Sequence, residues 1–288
     1  MDPTWIEAAI NGRWGESRQP GSPTTVEECI DAGVACVEAG AAIVHVHTFD
    51  TAADAEDDDA DKYAAIIEGI QERVDAVVYP TLPSAGIGVE STVDPAARFA
   101  NQDDLGRRGL LEWSVVDPGS INSVTYDQVD RDEPGDVYLN PESHVRHGLT
   151  VAARHGATPS YAIYEPGFVR LGAALADRYD VATPIYRFMF SEAFTFNYPP
   201  DPYALESLLR LLEDEAGDVP WMVSGLRVDV TPLIAEAVER GGHVRVGLED
   251  APLGTERTNA EWVAHARERI EDAGGRAATP AEVRETLA

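Results

Sequence analysis

The chain has 288 residues, 44% of them hydrophobic, and a formal net charge of −29 at pH 7. That length holds a large α/β core, and the acidic balance excludes nucleic acid as a partner because phosphates would be repelled. No run of 18 apolar residues is present, so no membrane-spanning helix is expected, and no membrane partner is expected either.

Strand and helix signals alternate along the chain. Short runs rich in Val, Ile and aromatics predict strands at 5–11, 42–49, 76–82, 110–116, 160–164, 185–190, 221–226 and 243–248. Helical apolar spacing falls between them at 24–39, 59–74, 143–155, 201–216, 231–240 and 259–273. The first of these opens on Thr24-Thr25-Val26-Glu27-Glu28, a capping-box pattern, and stops at Gly40. Ala278-Thr279-Pro280-Ala281-Glu282 predicts a capped last short helix. Residues 51–61 read as a charged loop, and 119–143 and 191–201 as long connections. Eight strands in alternation with helices predict a single (β/α)8 TIM barrel over 1–288. A doubly wound open sheet is the alternative; no Gly-x-Gly-x-x-Gly and no Walker sequence supports its nucleotide-binding versions.

Two segments carry chemistry. His45-Val46-His47 ends the second strand, and side chains at i and i+2 of a strand share a face. The last strand reads His243-Val244-Arg245-Val246-Gly247-Leu248-Glu249-Asp250, in which alternation puts Arg245, Gly247 and Glu249 on one face. Barrel enzymes place reacting groups at the C-terminal ends of strands, and in a closed barrel strand eight lies beside strand one, with strand two next. His45, His47 and Glu249 then converge as two imidazoles and a carboxylate. That is the usual protein set of a catalytic zinc, although another divalent metal fits the same donors. Arg245 and Asp250 form a charged pair close by. The competing reading is a pair of core histidines, with Arg245 bound to Glu249 as a plain buried ion pair.

The remaining features are less informative. His144, His147 and His155 fall on a solvated helix face, His265 lies on an acidic exposed helix, and His243 starts strand eight away from the site. Cys29 and Cys36, seven apart in one helix, are too far apart for a disulfide and read as packing thiols in a reducing compartment. Met1-Asp2-Pro3-Thr4 lacks the pattern of a secretory signal. Lys62 is the only lysine, and acidic residues stud the helices, as in Asp57-Asp58-Asp59 and Glu213-Asp214-Glu215. The surface reads as adapted to a salt-rich cytoplasm, in which self-repulsion is screened.

With those residues in place, the chain resembles the β-keto acid cleavage enzymes, whose founding activity is 3-keto-5-aminohexanoate cleavage. The resemblance spans nearly the whole chain. It rests on His-Val-His, on Gly-Gly-His-Val-Arg-Val-Gly-Leu-Glu-Asp at 241–250, and on Ala8-Ala9-Ile10-Asn11-Gly12. It continues through Gly119-Ser120-Ile121-Asn122, Tyr164-Glu165-Pro166-Gly167 and the segment at 278–284. The resemblance implies a zinc-dependent barrel, usually a homotetramer, that condenses a small-molecule β-keto acid with acetyl-CoA and releases acetoacetate and a new CoA thioester. It implies His45, His47 and Glu249 as zinc ligands and Arg245 with Asp250 as the catalytic pair.

The chain departs from the family pattern around that centre. Phe49 stands where the family has Arg, Val115 where it has Thr, and Ala162 where it has a functional Glu. The Thr-Gly-Gly loop after the third strand is replaced by Pro80-Thr81-Leu82-Pro83-Ser84-Ala85-Gly86, and a Gly-Val-Pro-Gly-Gly loop by Ser191-Glu192-Ala193-Phe194-Thr195. Thr81 and Ser84 retain hydroxyls for a substrate carboxylate, and Ser114 and Asn122 complete the substrate-binding candidates. A remodelled pocket around an intact centre implies a different keto acid. A different metal-dependent lyase or hydrolase, and a non-catalytic metal- or metabolite-binding member, stay open.

Overall fold

The computed structural model describes residues 2–83 and 93–287. Contacts gather the chain into two compact units, Met1–Thr81 with Met222–Ala288, and Leu82–Trp221. The strands are β1 (Ile6–Ala9), β2 (Ile43–Val46), β3 (Thr48–Asp50), β4 (Ala55–Asp57), β5 (Val77–Pro80) and β6 (Trp113–Val115). They continue with β7 (Ile121–Ser123), β8 (Asp136–Tyr138), β9 (Thr158–Ile163), β10 (Ile185–Phe190), β11 (Trp221–Gly225) and β12 (His243–Val246).

In the first unit the sheet order is β5, β2, β1, β12, β11, and every pairing is parallel. In the second, β9 lies between β10 and β6, again parallel. Each of these eight strands is followed by a helix: Val26–Ala39, Ala60–Gln71, Ala100–Arg107, Glu142–His155, Pro166–Tyr179, Pro202–Ala216, Ile234–Glu239 and Asn259–Asp272. This is the (β/α)8 TIM-barrel repeat that the sequence predicts. The strands are buried along their lengths, as strands covered on both faces must be, so they read as apolar runs without clean alternation.

The remaining two strand pairs are antiparallel hairpins, β3 with β4 and β7 with β8. The first occupies most of the segment that reads as a charged loop, and the second lies inside the 119–143 connection. The predicted caps form: Thr25 and Glu28 make a capping box, and Gly40 ends that helix at φ 125°. Thr258 and Glu261 make a second box at Asn259–Asp272. Cys29 and Cys36 are buried thiols, and burial pushes both up to about 12. Among the described residues no helix is long and apolar enough to cross a membrane.

Candidate metal centre

The centre is built on three adjacent strands of the first unit. β1 lies between β12 and β2, with Glu7 opposite Arg245 on one side and Ala9 opposite His45 on the other. His45 therefore projects from a fixed register, with Tyr79 of β5 beside it at 4.6 Å between ring centroids. His47 lies one residue past the end of β2, and the Asn11 side chain holds it there. The His47 N–H donates to Asn11 Oδ1 at 2.9 Å, and Asn11 Nδ2 donates to the His47 carbonyl at 2.9 Å. That clamp continues the strand geometry for one residue, so the i and i+2 side chains still meet. The two imidazoles stand edge-on, with centroids 5.2 Å apart.

Glu249 arrives differently from the sequence expectation. Strand alternation stops at Val246, and Gly247 turns the chain at φ 140°. A Cβ at Gly247 would lie 2.2 Å from the Ala9 carbonyl oxygen, so only glycine permits the close crossing over β1. The Glu249 N–H then donates to that same carbonyl at 3.2 Å. Asn259, at the start of the following helix, accepts from Leu248 N–H at 2.8 Å and donates to the Ile10 carbonyl at 2.7 Å. Gln19 Nε2 donates to the Leu248 carbonyl at 2.9 Å. The turn carrying Glu249 and Asp250 is thus pinned from three directions. Gly12 clears the space that Glu249 fills, since a Cβ there would lie 2.4 Å from Glu249 Cγ.

His45, His47 and Glu249 each offer a ligand atom, all within 4.8 Å of one another, and they are the group among the described residues able to hold a metal ion. His47 Nε2 lies 3.3 Å from Glu249 Oε1, and His45 Nε2 lies 3.5 Å from Glu249 Oε2. A tetrahedral ion with bonds of about 2.0–2.1 Å separates its ligand atoms by about 3.3 Å, close to both imidazole–carboxylate distances, so the three side chains could close on a divalent ion. Charge fits as well. Glu7, Glu249 and Asp250 surround a single guanidinium, that of Arg245, and a cation offsets the excess.

Arg245 is fully buried and meets all three carboxylates. Its Nη1 donates to Glu7 Oε1 at 2.9 Å, and Nη2 lies 2.8 Å from Glu249 Oε2. Asp250 receives the two-pronged contact: Nη2 to Oδ1 at 2.9 Å and Nε to Oδ2 at 3.0 Å. The Tyr79 hydroxyl donates to Glu7 Oε1 at 2.6 Å and fixes the far side. Burial works against the Glu249 charge, but Arg245 and the two imidazoles hold its carboxyl well below the usual carboxylate range. Burial pushes Asp250 up to about 6, against the pull of Arg245. Burial also disfavours charge on His47, yet Glu249 and Glu56 together lift it to about 9 in the metal-free geometry.

The family model of the beta-keto acid cleavage enzymes matches residues 3–288. The chain belongs to that family. The 3-keto-5-aminohexanoate cleavage enzyme of Acetoanaerobium sticklandii is 25% identical over 299 residues, covering 100% of this chain and 98% of that protein. The 3-oxoadipate:acetyl-CoA acetyltransferase of Cupriavidus necator is 26% identical over 298 residues, covering 99% and 94%. Among solved structures, ObcA in its binary complex with oxaloacetate aligns at TM-score 0.71 and 18% identity, covering 93% of this chain and 67% of that one, a likeness of fold.

Within this family member the other candidates fall as follows. Thr81 is buried at the end of β5 and donates its N–H to the Val46 carbonyl at 3.2 Å. Ser84 lies outside the described residues. In the second unit, Ser114 is buried in β6 with its hydroxyl on Gln102 Oε1, and Asn122 is exposed on β7. Phe49, Val115 and Ala162, at the positions of family departure, are all buried. The Ala162 N–H donates to Asp117 Oδ1 at 2.7 Å, and Arg187 lies 3.8 Å from that carboxylate. Sequence reasoning missed Glu7, Glu56 and Tyr79. Glu7 left a signal, an acid inside the apolar run Trp5-Ile6-Glu7-Ala8-Ala9-Ile10.

Proposed function

We propose that this chain is a zinc-dependent β-keto acid cleavage enzyme. It condenses a β-keto acid with acetyl-CoA and releases acetoacetate and a new acyl-CoA. The observation that carries the reading is the meeting of His45, His47 and Glu249 beside the two-pronged Arg245–Asp250 pair. Family membership and acetyl-CoA-dependent relatives support it. His45, His47 and Glu249 would hold a zinc ion, which would supply Lewis acidity toward the keto oxygen.

The protein's own groups do the proton work. Asp250, titrating near 6, is ionised at neutral pH and takes a proton from C2 of the keto acid onto Oδ2. Arg245 holds that carboxylate in one orientation and, charged and buried, stabilises the negative charge that develops on the substrate. The carbanion attacks the thioester carbonyl of acetyl-CoA and expels the CoA thiolate. That thiolate attacks the original keto carbonyl, and the carbon–carbon bond breaks. Acetoacetate leaves as it recovers its proton from Asp250, and the remaining acyl group stays on CoA. Thr81, Ser84, Ser114 and Asn122 are the proposed substrate-binding residues. By the family resemblance the working assembly is a homotetramer, and the acidic charge balance suits a salt-rich cytosol.

The test incubates zinc-loaded protein in molar KCl with a panel of β-keto acids, with and without acetyl-CoA. Acetoacetate is expected only when the thioester is present. Turnover without it would replace this reading with a different lyase or hydrolase. H45A and E249A are expected to retain roughly a tenth or less of the zinc of the parent protein by elemental analysis. Full metal content in both would overturn the ligand assignment.

A further inference from the structure

His47 meets a carboxylate at each ring nitrogen. Glu249 Oε1 lies 3.3 Å from Nε2, and Glu56 Oε1 lies 2.5 Å from Nδ1. Glu56 comes from β4, in register with Phe49 across the hairpin. The hairpin is fastened on its own terms. The Thr48 hydroxyl donates to the Asp57 carbonyl at 2.9 Å, and Lys62 donates to the Phe49 carbonyl at 2.7 Å while pairing with Asp57. Asp59 caps the helix that follows, accepting from Asp61 N–H at 2.9 Å. Glu56 is therefore carried on a braced element, and its side chain is 16% exposed.

An ionised carboxylate only accepts hydrogen bonds, so Nδ1 of His47 carries the hydrogen. With that hydrogen held on Nδ1, Nε2, which faces Glu249, is the nitrogen that gives up its proton and presents a lone pair when a metal binds. We propose that Glu56 is a positioning residue for the metal centre: it fixes His47 in the tautomer and ring orientation that presents Nε2 beside His45 and Glu249, and so tightens metal retention. This inference rests on the metal reading above. The hairpin sequence has no ligand motif of its own, which is why a segment that reads as a charged loop conceals the role.

The experiment measures zinc dissociation constants by competition with a chromophoric chelator in molar KCl, for the parent protein, E56A and E56Q. E56A is expected to bind zinc 10- to 100-fold more weakly, the range typical for loss of an outer hydrogen-bond partner. E56Q keeps an amide oxygen to accept from Nδ1 but loses the charge, so its affinity falls between the two. The thermal midpoints of the zinc-free proteins stay close together, which separates positioning from general support of the fold. Equal affinity in the parent and E56A overturns the inference and leaves the metal reading standing. Zinc binding by none of the three overturns both. If E56A does not fold, near-isosteric E56Q decides: affinity equal to the parent protein counts against the inference, and weaker affinity supports it.

Discussion

His243 and His47 are the same side chain put to opposite uses, and their surroundings decide the difference. His47 has carboxylates at both nitrogens, which overcome burial and favour its charged form. His243 has none. It stacks on Trp5 at 3.9 Å between centroids, 9° from parallel, and Nδ1 accepts the Trp5 N–H at 3.2 Å. Burial lowers it from 6.5 to about 3. Above pH 6.5 the folded and unfolded chains are both neutral there. Below it the unfolded chain gains a proton that the folded chain refuses until about pH 3, so stability is lost as pH falls through that window. This group alone makes the protein about 2 kcal/mol less stable at pH 5 than at neutrality. In urea titrations between pH 7 and 5, H243N, which keeps an acceptor for Trp5, should show a shallower loss than the parent protein. Parallel curves would refute the neutral, buried assignment. His144 shows the limit of reading such residues from spacing. Expected on a solvated face, it is buried against Arg98, with Nδ1 3.3 Å from the guanidinium, because the partner comes from a distant helix.

At the level of elements, the strands were the most legible feature, because burial on both faces requires uninterrupted apolar runs and such runs stand out. All eight barrel strands fall on or within a residue or two of the expected segments. Of the eight helices that follow the parallel strands, two did not announce themselves. Pro166–Tyr179 opens on Pro-Gly, which reads as a turn although proline suits the first helical position. Ala100–Arg107 is short and polar, buried through Asn101, Gln102 and Leu105. The β3–β4 hairpin is acidic and brief, and only its contact with His47 reveals its purpose. The candidate triad was legible because its two imidazoles come from the end of one strand and the residue just past it, and its carboxylate ends a motif. The support around it was not, because Glu7, Tyr79 and Glu56 join through register and hairpin pairing. Gly247 links element to site. G247A forces a side chain into a positive-φ turn and against the Ala9 carbonyl, so β12 must part from β1 just before Glu249. The variant should lose about 2 kcal/mol or more of stability and retain less zinc, measured by urea unfolding and elemental analysis. Wild-type values for both would show that the tight crossing is dispensable.

For the whole molecule, charge sets the conditions under which all of this operates. With 22 Lys and Arg against 51 Asp and Glu, pairing every cation would still leave 29 carboxylates unopposed. Many pairs do form on the surface. Arg107 meets Asp103 and Asp104, Arg73 meets Glu27 and Asp31, and Arg210 meets Glu206, with the arginines 45% to 76% exposed. Exposed pairs contribute about 0–1 kcal/mol each, and salt weakens them. Repulsion among the excess acids acts over longer distances, and salt weakens it too. The two effects of salt oppose one another, and the net sign depends on which is larger. The excess should outweigh the pairs here, because the screening length falls from about 10 Å at 0.1 M to about 3 Å at 1 M and removes repulsion between charges that never touch. The buried Arg245 network is shielded from bulk ions and keeps its strength. The thermal midpoint should therefore rise by roughly 10 °C between 0.1 M and 2 M KCl, corresponding to a few kcal/mol for a chain of this size. Zinc content should not change across the same range. A midpoint that stays level or falls with KCl would mean that local pairs dominate, and the salt-adapted reading of the surface would be wrong.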